Sequence, residues 1–138
     1  TPQPRSARTW APEMVEREIT DGRRIGRLLK AEVRGLADPP FDALAVANED
    51  ADADVDPPDN RAFDVVRDGG PVASVFLQSD RVYLAFDVGL DAARAAAEDH
   101  GLRTRPKATT PPGLLIFVEN GASVKRAVDV LAAAASAV

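Results

Sequence analysis

The spacing of apolar residues changes period along this chain, and that restricts the fold more than any other feature. From Thr20 to Leu36, the residues Ile25, Leu28, Leu29, Val33 and Leu36 recur at helical spacing, with Thr20 as the expected cap and Pro39-Pro40 beyond the end. After residue 62 the period falls to two. Phe63 and Val65 flank Asp64, Asp68-Gly69-Gly70 marks a turn, and Val72 to Gln78 joins Arg81 to Asp87 through the short loop Ser79-Asp80. Helical spacing returns from Leu90 to His100, with Gly101 at the position of a left-handed cap, and again after Asn120 or Ser123. Between these helices, Leu102 to Ala108 reads as an edge strand and the unbroken apolar run Leu114 to Val118 as a strand buried on both faces. With Leu44 to Ala47 as a further strand, the order is α-ββββ-α-ββ-α. We therefore expect an α+β fold, a mainly antiparallel sheet of five to six strands whose apolar face is covered by the first and third helices.

Size and composition fit one such domain: 138 residues, 45% hydrophobic and 28% charged, with 11 prolines and 9 glycines. Residues 1–13 hold three prolines and no period, and read as a disordered extension before a domain at 14–138. No apolar run approaches the roughly 20 residues that cross a bilayer, and the first residues lack the core of a signal peptide. The absence of cysteine excludes disulfides and thiolate chemistry, and points to a cytoplasmic setting. A single histidine, His100, excludes a two-histidine zinc site within one chain, and no cofactor motif is present.

Charge is distributed in blocks. Residues 14–36 carry six basic and four acidic groups, 37–60 carry eight acidic and none basic, and 101–138 carry five basic and two acidic. The acidic block at 48–60 reads as a solvated loop, because like charges at that density resist packing. It does not fit a calcium loop. Counting from Asp50, Val55 stands where glycine is required and Arg61 where a bidentate glutamate is required. Arg23, Arg27, Lys30 and Arg34 form a basic stripe opposite the apolar face of the first helix, while Glu32 falls inconveniently on the apolar side. A GC-rich genome could account for 14 Arg against three Lys, but fifteen Asp against seven Glu, with abundant Ala and Val, favours a salt-rich cytoplasm over GC-rich coding alone.

Chemical motifs are few. His100 beside Asp99 is the only base available to a serine nucleophile, and no Gly-x-Ser-x-Gly elbow or phosphate-loop spacing occurs. One anion site is plausible in its chemistry: Gly121 and Ser123 open a helix bearing Lys125 and Arg126, and Arg103, Arg105 and Lys107 lie nearby in sequence. Nucleic acid is a poorer fit, since the net charge of −5 repels a polyanion and exposed aromatics are few.

The segments Ile19-Thr-Asp-Gly-Arg-Arg-Ile, Arg103-Thr-Arg-Pro-Lys and Val118-Glu-Asn-Gly-Ala-Ser-Val-Lys-Arg-Ala-Val-Asp resemble a family of small haloarchaeal proteins of unknown function. The resemblance runs from about Met14 to the C-terminus and implies no activity. The element order is also similar to secretion-chaperone-like small α+β folds, a likeness that establishes no function. The expectation is a non-enzymatic cytoplasmic binding or adaptor protein that recognises a protein partner or a small anion. A nucleic-acid-binding protein using the basic helix face, and an enzyme using Glu32, Asp87 or His100, stand as alternatives.

Overall fold

The first helix starts where the sequence supplies a carboxylate. Asp21 is extended, and its side chain accepts from the backbone N–H groups of Arg23 and Arg24, two of the donors that a helix start leaves open. In the computed structural model, which describes residues 19–35 and 44–137, helix α1 (Gly22–Arg34) therefore begins after Asp21 rather than after Thr20. Its end is at Gly35, and the expected continuation to Leu36 lies outside the described residues, as does the 1–13 extension.

The strands follow: β1 (Leu44–Ala47), β2 (Arg61–Arg67), β3 (Gly70–Leu77), β4 (Val82–Phe86), β5 (Thr104–Lys107) and β6 (Gly113–Val118). Helices α2 (Leu90–Asp99) and α3 (Val124–Ser136) complete the order α-ββββ-α-ββ-α. All strand pairs are antiparallel, in the spatial order β1-β2-β3-β4-β6-β5. The meander β1 to β4 is built from adjacent hairpins. Helix α2 then carries the chain past one vacant position to β5, and β6 returns to fill it.

Local chemistry fixes the connection after α2. Gly101 has φ +70°, Leu102 N–H donates to the Ala97 carbonyl and Gly101 N–H to that of Glu98, so both ends of a left-handed helix cap are closed. Leu102 is buried by the turn. At the sheet edge, β5 carries Arg105, Pro106 and Lys107, all exposed.

One face of the sheet is the core. Phe63, Val65, Val75, Val82, Leu84, Phe86, Leu114 and Ile116 are at most 2% exposed and meet Ile25 and Leu29 of α1 and Leu131 of α3. Ala-rich α3 lies in the middle, packed against α1 on one side and α2 on the other. Thus all three helices cover this face, one more than the sequence reading assigned. The run Leu114 to Val118 is correspondingly not buried on both faces. Leu114, Ile116 and Val118 point inward, whereas Leu115 and Phe117 are partly exposed on the side that no described helix covers.

Two glycines allow backbone to approach backbone. A Cβ on Gly22 would stand 1.7 Å from the Gln78 carbonyl oxygen, in the β3–β4 hairpin whose Ser79 carbonyl accepts from Gly22 N–H. Gly89, at φ +60°, faces the Ala134 carbonyl of α3, 2.5 Å from where a Cβ would be. By contrast Gly69, at φ +83°, has open space around it. Gly22→Ala and Gly89→Ala are each expected to lower unfolding free energy by roughly 2–4 kcal/mol in urea titrations, through backbone overpacking, and Gly69→Ala by only about 1–2 kcal/mol, from φ alone.

Candidate functional site

The basic stripe of α1 does not face solvent as a free surface. The segment 48–60 folds back across it, and Arg23 pairs with Asp54 at 2.5 Å, Arg34 with Glu49 at 2.6 Å, and Lys30 with the other oxygen of Glu49. Most of that segment is exposed, yet Ala53 is buried and Asn60 is held by two hydrogen bonds with Leu77, its side-chain Nδ2 donating to the Leu77 carbonyl and its own carbonyl accepting from Leu77 N–H. A cleft of about 170 Å³ remains between helix and loop, where Arg27 and Lys30 stand beside Glu49 and Asp50. Its two signs of charge cancel, so three of the four cations proposed for nucleic acid already have carboxylates. Glu32 is partly exposed at the helix edge.

The Asn120 side chain accepts from Ser123 N–H at 3.0 Å and from the Ser123 hydroxyl at 3.1 Å, capping a single 3₁₀ turn, Gly121–Ser123, ahead of α3. Gly121 N–H donates to the Ile19 carbonyl at 3.0 Å. Gly121 and Ser123 are buried, and an anion arriving there would meet the exposed side chains of Lys125 and Arg126 rather than these N–H groups. Arg105 and Lys107 lie elsewhere. Opposite Leu115 and Gly113 in register, they project from the helix-free face of the sheet, and Arg103 reaches Glu119 at 3.9 Å.

His100, at the end of α2, has Nε2 3.5 Å from an Asp129 oxygen of α3, with the imidazole partly exposed and Asp129 exposed. The hydroxyls of Ser74 and Ser123 donate to Asp64 and Asn120, and among the described residues no serine hydroxyl bonds this imidazole. No group of three or more Asp, Glu or His among the described residues is placed to hold a metal ion, and no described helix is long and apolar enough to cross a membrane.

The helix-free sheet face holds what the sequence reading missed. Phe76 of β3, Tyr83 of β4 and Phe117 of β6 are neighbours across three adjacent strands, since Tyr83 is opposite both Phe76 and Phe117 in register. Phe76 and Tyr83 stack with centroids 5.0 Å apart and planes 7° from parallel, and Phe117 lies 6.0 Å from Tyr83 at 52°. Leu115, Ala85 and Val66 extend the apolar strip, and all six are only partly buried. The available signal was the non-alternating run 114–118: an apolar residue at every position of a strand covered on one side must show some of them.

Asp64 is the carboxylate beside this strip, and it is fully engaged. Its carboxylate accepts from Asn48 Nδ2 (2.8 Å), Ser74 Oγ (2.8 Å) and Arg61 Nη1 (3.3 Å). Desolvation, the largest single influence, raises its pKa, but the hydrogen bonds from Asn48 and Ser74 together with the Arg61 charge outweigh it, and the net direction is down. Hydrogen bonds from Lys30, then Arg34, hold Glu49 below the usual carboxylate value.

Compared with known protein families, residues 14–138 match Family of unknown function (DUF7993). No curated protein and no solved structure matches the chain.

A carboxylate whose pKa is depressed by folding contributes stability above its unfolded pKa, and that contribution is lost as pH falls through the lower folded value. Acidification from neutral pH into and below the ordinary carboxylate range is therefore expected to release the 48–60 segment from α1 before the sheet melts. Hydrogen exchange should show protection of residues 53–55 declining first. In the Glu49→Gln variant that decline should be shallower, and equal slopes in the two proteins would contradict the role of Glu49.

Proposed function

The chain belongs to this family of unknown function, which brings no activity with it, and we propose that it is a non-enzymatic binding module that docks a protein partner on the helix-free face of its sheet. The observation that carries this reading is the strip of Phe76, Tyr83, Phe117 and Leu115, apolar groups on adjacent strands with no described helix above them. Contiguous apolar surface of this kind, rimmed by charge, characterises protein interfaces, and aromatic residues are enriched at their centres. The rim is present in Arg81, Glu119, Arg105 and Lys107.

Ring orientation favours protein over nucleic acid. Bases stack on aromatic faces, which must be presented to solvent. Phe76 and Tyr83 cover each other's faces, at 5.0 Å and 7°, and offer edges outward. Edges suit interdigitation with the side chains of another sheet or helix. The Asp-rich, Arg-rich composition supports a salt-adapted, haloarchaeal cytoplasm as the setting. High salt screens ionic contacts and strengthens apolar burial, so a hydrophobic docking face is the durable kind there.

A photo-crosslinking amino acid placed at position 83, and in a second protein at position 125 of α3, tests the reading in host cells. Adducts are expected from position 83 and not from 125. No adduct from 83, or equal adducts from both positions, would overturn it.

A further inference from the structure

We infer that the cleft between α1 and the 48–60 segment binds a small aliphatic zwitterion, an ω-amino acid whose carboxylate meets Arg27 and whose ammonium meets Asp50. The site lies on the helix-covered side of the sheet, apart from the docking face, and goes beyond that reading. Its ligand is selected by which of the surrounding charges are already paired.

Arg23 reaches Asp54, and Lys30 and Arg34 each take one oxygen of Glu49. The other two charged residues of the lining, Arg27 and Asp50, take part in no ion pair among the described residues. They stand on opposite walls, Arg27 on the helix and Asp50 on the segment. Asp50 is held in place without being neutralised. Its N–H donates to the Ala62 carbonyl at 2.8 Å, its carbonyl accepts from Ala53 N–H at 3.2 Å, and its Oδ1 accepts from Asp52 N–H at 2.9 Å. Among the described residues Oδ2 keeps its capacity to accept.

Between these two charges the floor is apolar. Phe63, Leu77 and Ala53 are buried there. Gly26 lets the helix sit low over Leu77, because a Cβ on it would stand 2.7 Å from Leu77 Cδ2. Apolar walls with a few placed charges are the usual composition of a small-molecule site.

Simpler ligands fit this lining less well. An anion would gain Arg27 but face Glu49 and Asp50, and a cation would gain Asp50 but face Arg23, Arg27 and Lys30. A molecule with both signs meets each unpaired group with its complement, and its carboxylate suits the two-pronged guanidinium. Size narrows the class. The cleft of about 170 Å³ holds about six waters at ~30 Å³ each, well below the roughly 300–1,000 Å³ of sites that take drug-sized ligands. That is room for a straight chain of about three or four carbons. Charges on opposite walls call for charges at opposite ends of such a chain rather than on one carbon.

An NMR titration of the full chain, at the lowest salt that leaves its circular dichroism spectrum intact, tests the inference, since ligands this small bind in the millimolar range. γ-Aminobutyrate is expected to shift the amides of residues 26–30 and 50–53 saturably. Butyrate and butylamine, each with one of the two charges, and glycine, with both on one carbon, should bind about tenfold more weakly or worse. Arg27→Gln and Asp50→Asn should each weaken γ-aminobutyrate about tenfold with the fold unchanged; the second keeps an oxygen for Asp52 N–H and removes only the charge. The inference is overturned by the absence of a saturable shift up to about 100 mM, by butyrate, butylamine or glycine binding as tightly as γ-aminobutyrate, or by unchanged affinity in either variant.

Discussion

Everything in this molecule depends on α3 lying against one face of the sheet. Its alanines make that possible: Ala127, Ala134 and Ala135 are buried, and short side chains let the helix sit close enough for α1 and α2 to pack on either side of it. The Gly89 backbone reaches Ala134 because neither residue has bulk to spare. The Arg67 guanidinium donates to the Ala135 carbonyl at 2.7 Å, fixing the last turn of the helix to the end of β2. Once the three described helices share one face, none of them is left for the other, and among the described residues a helix-free sheet face is the geometric remainder of that choice.

Much of this was legible in the chain. The change of apolar period located every described helix and strand to within a few residues, because burial on one side imposes period two on a strand and about 3.6 on a helix. Gly101 announced its left-handed turn, and Pro106 between Arg105 and Lys107 announced an edge. The cap of α1 was misjudged by one residue, since Thr20 and Asp21 are both capping types and only the backbone decides between them. The run 114–118 was misread for a different reason. Continuous hydrophobicity reports what both faces of a strand are made of, and it is silent on whether this chain's own helices cover both.

The site was less legible than the fold, because it is made by register. Phe76, Tyr83 and Phe117 are up to 41 positions apart, and nothing in their local spacing says that they stand side by side. Exposed aromatics looked few, because Phe76 and Phe117 were hidden inside runs that looked like core. The blocks of charge misled in the opposite direction. A basic stripe and an acidic loop suggested two independent surfaces, whereas Glu49 and Asp54 tie them into one. The net charge of −5 therefore describes the chain, and not the potential that any partner meets.

The proline in β5 sets a limit on assembly. An edge strand grows a sheet by donating N–H groups to the next chain, and residue 106 has none to donate. Lateral extension is blocked at that margin, and at the other margin β1 offers a neighbouring strand only the four residues Leu44–Ala47. A neighbour taken on the helix-free face, as proposed, would fill a plane and not a margin, and so would add no strand to the sheet.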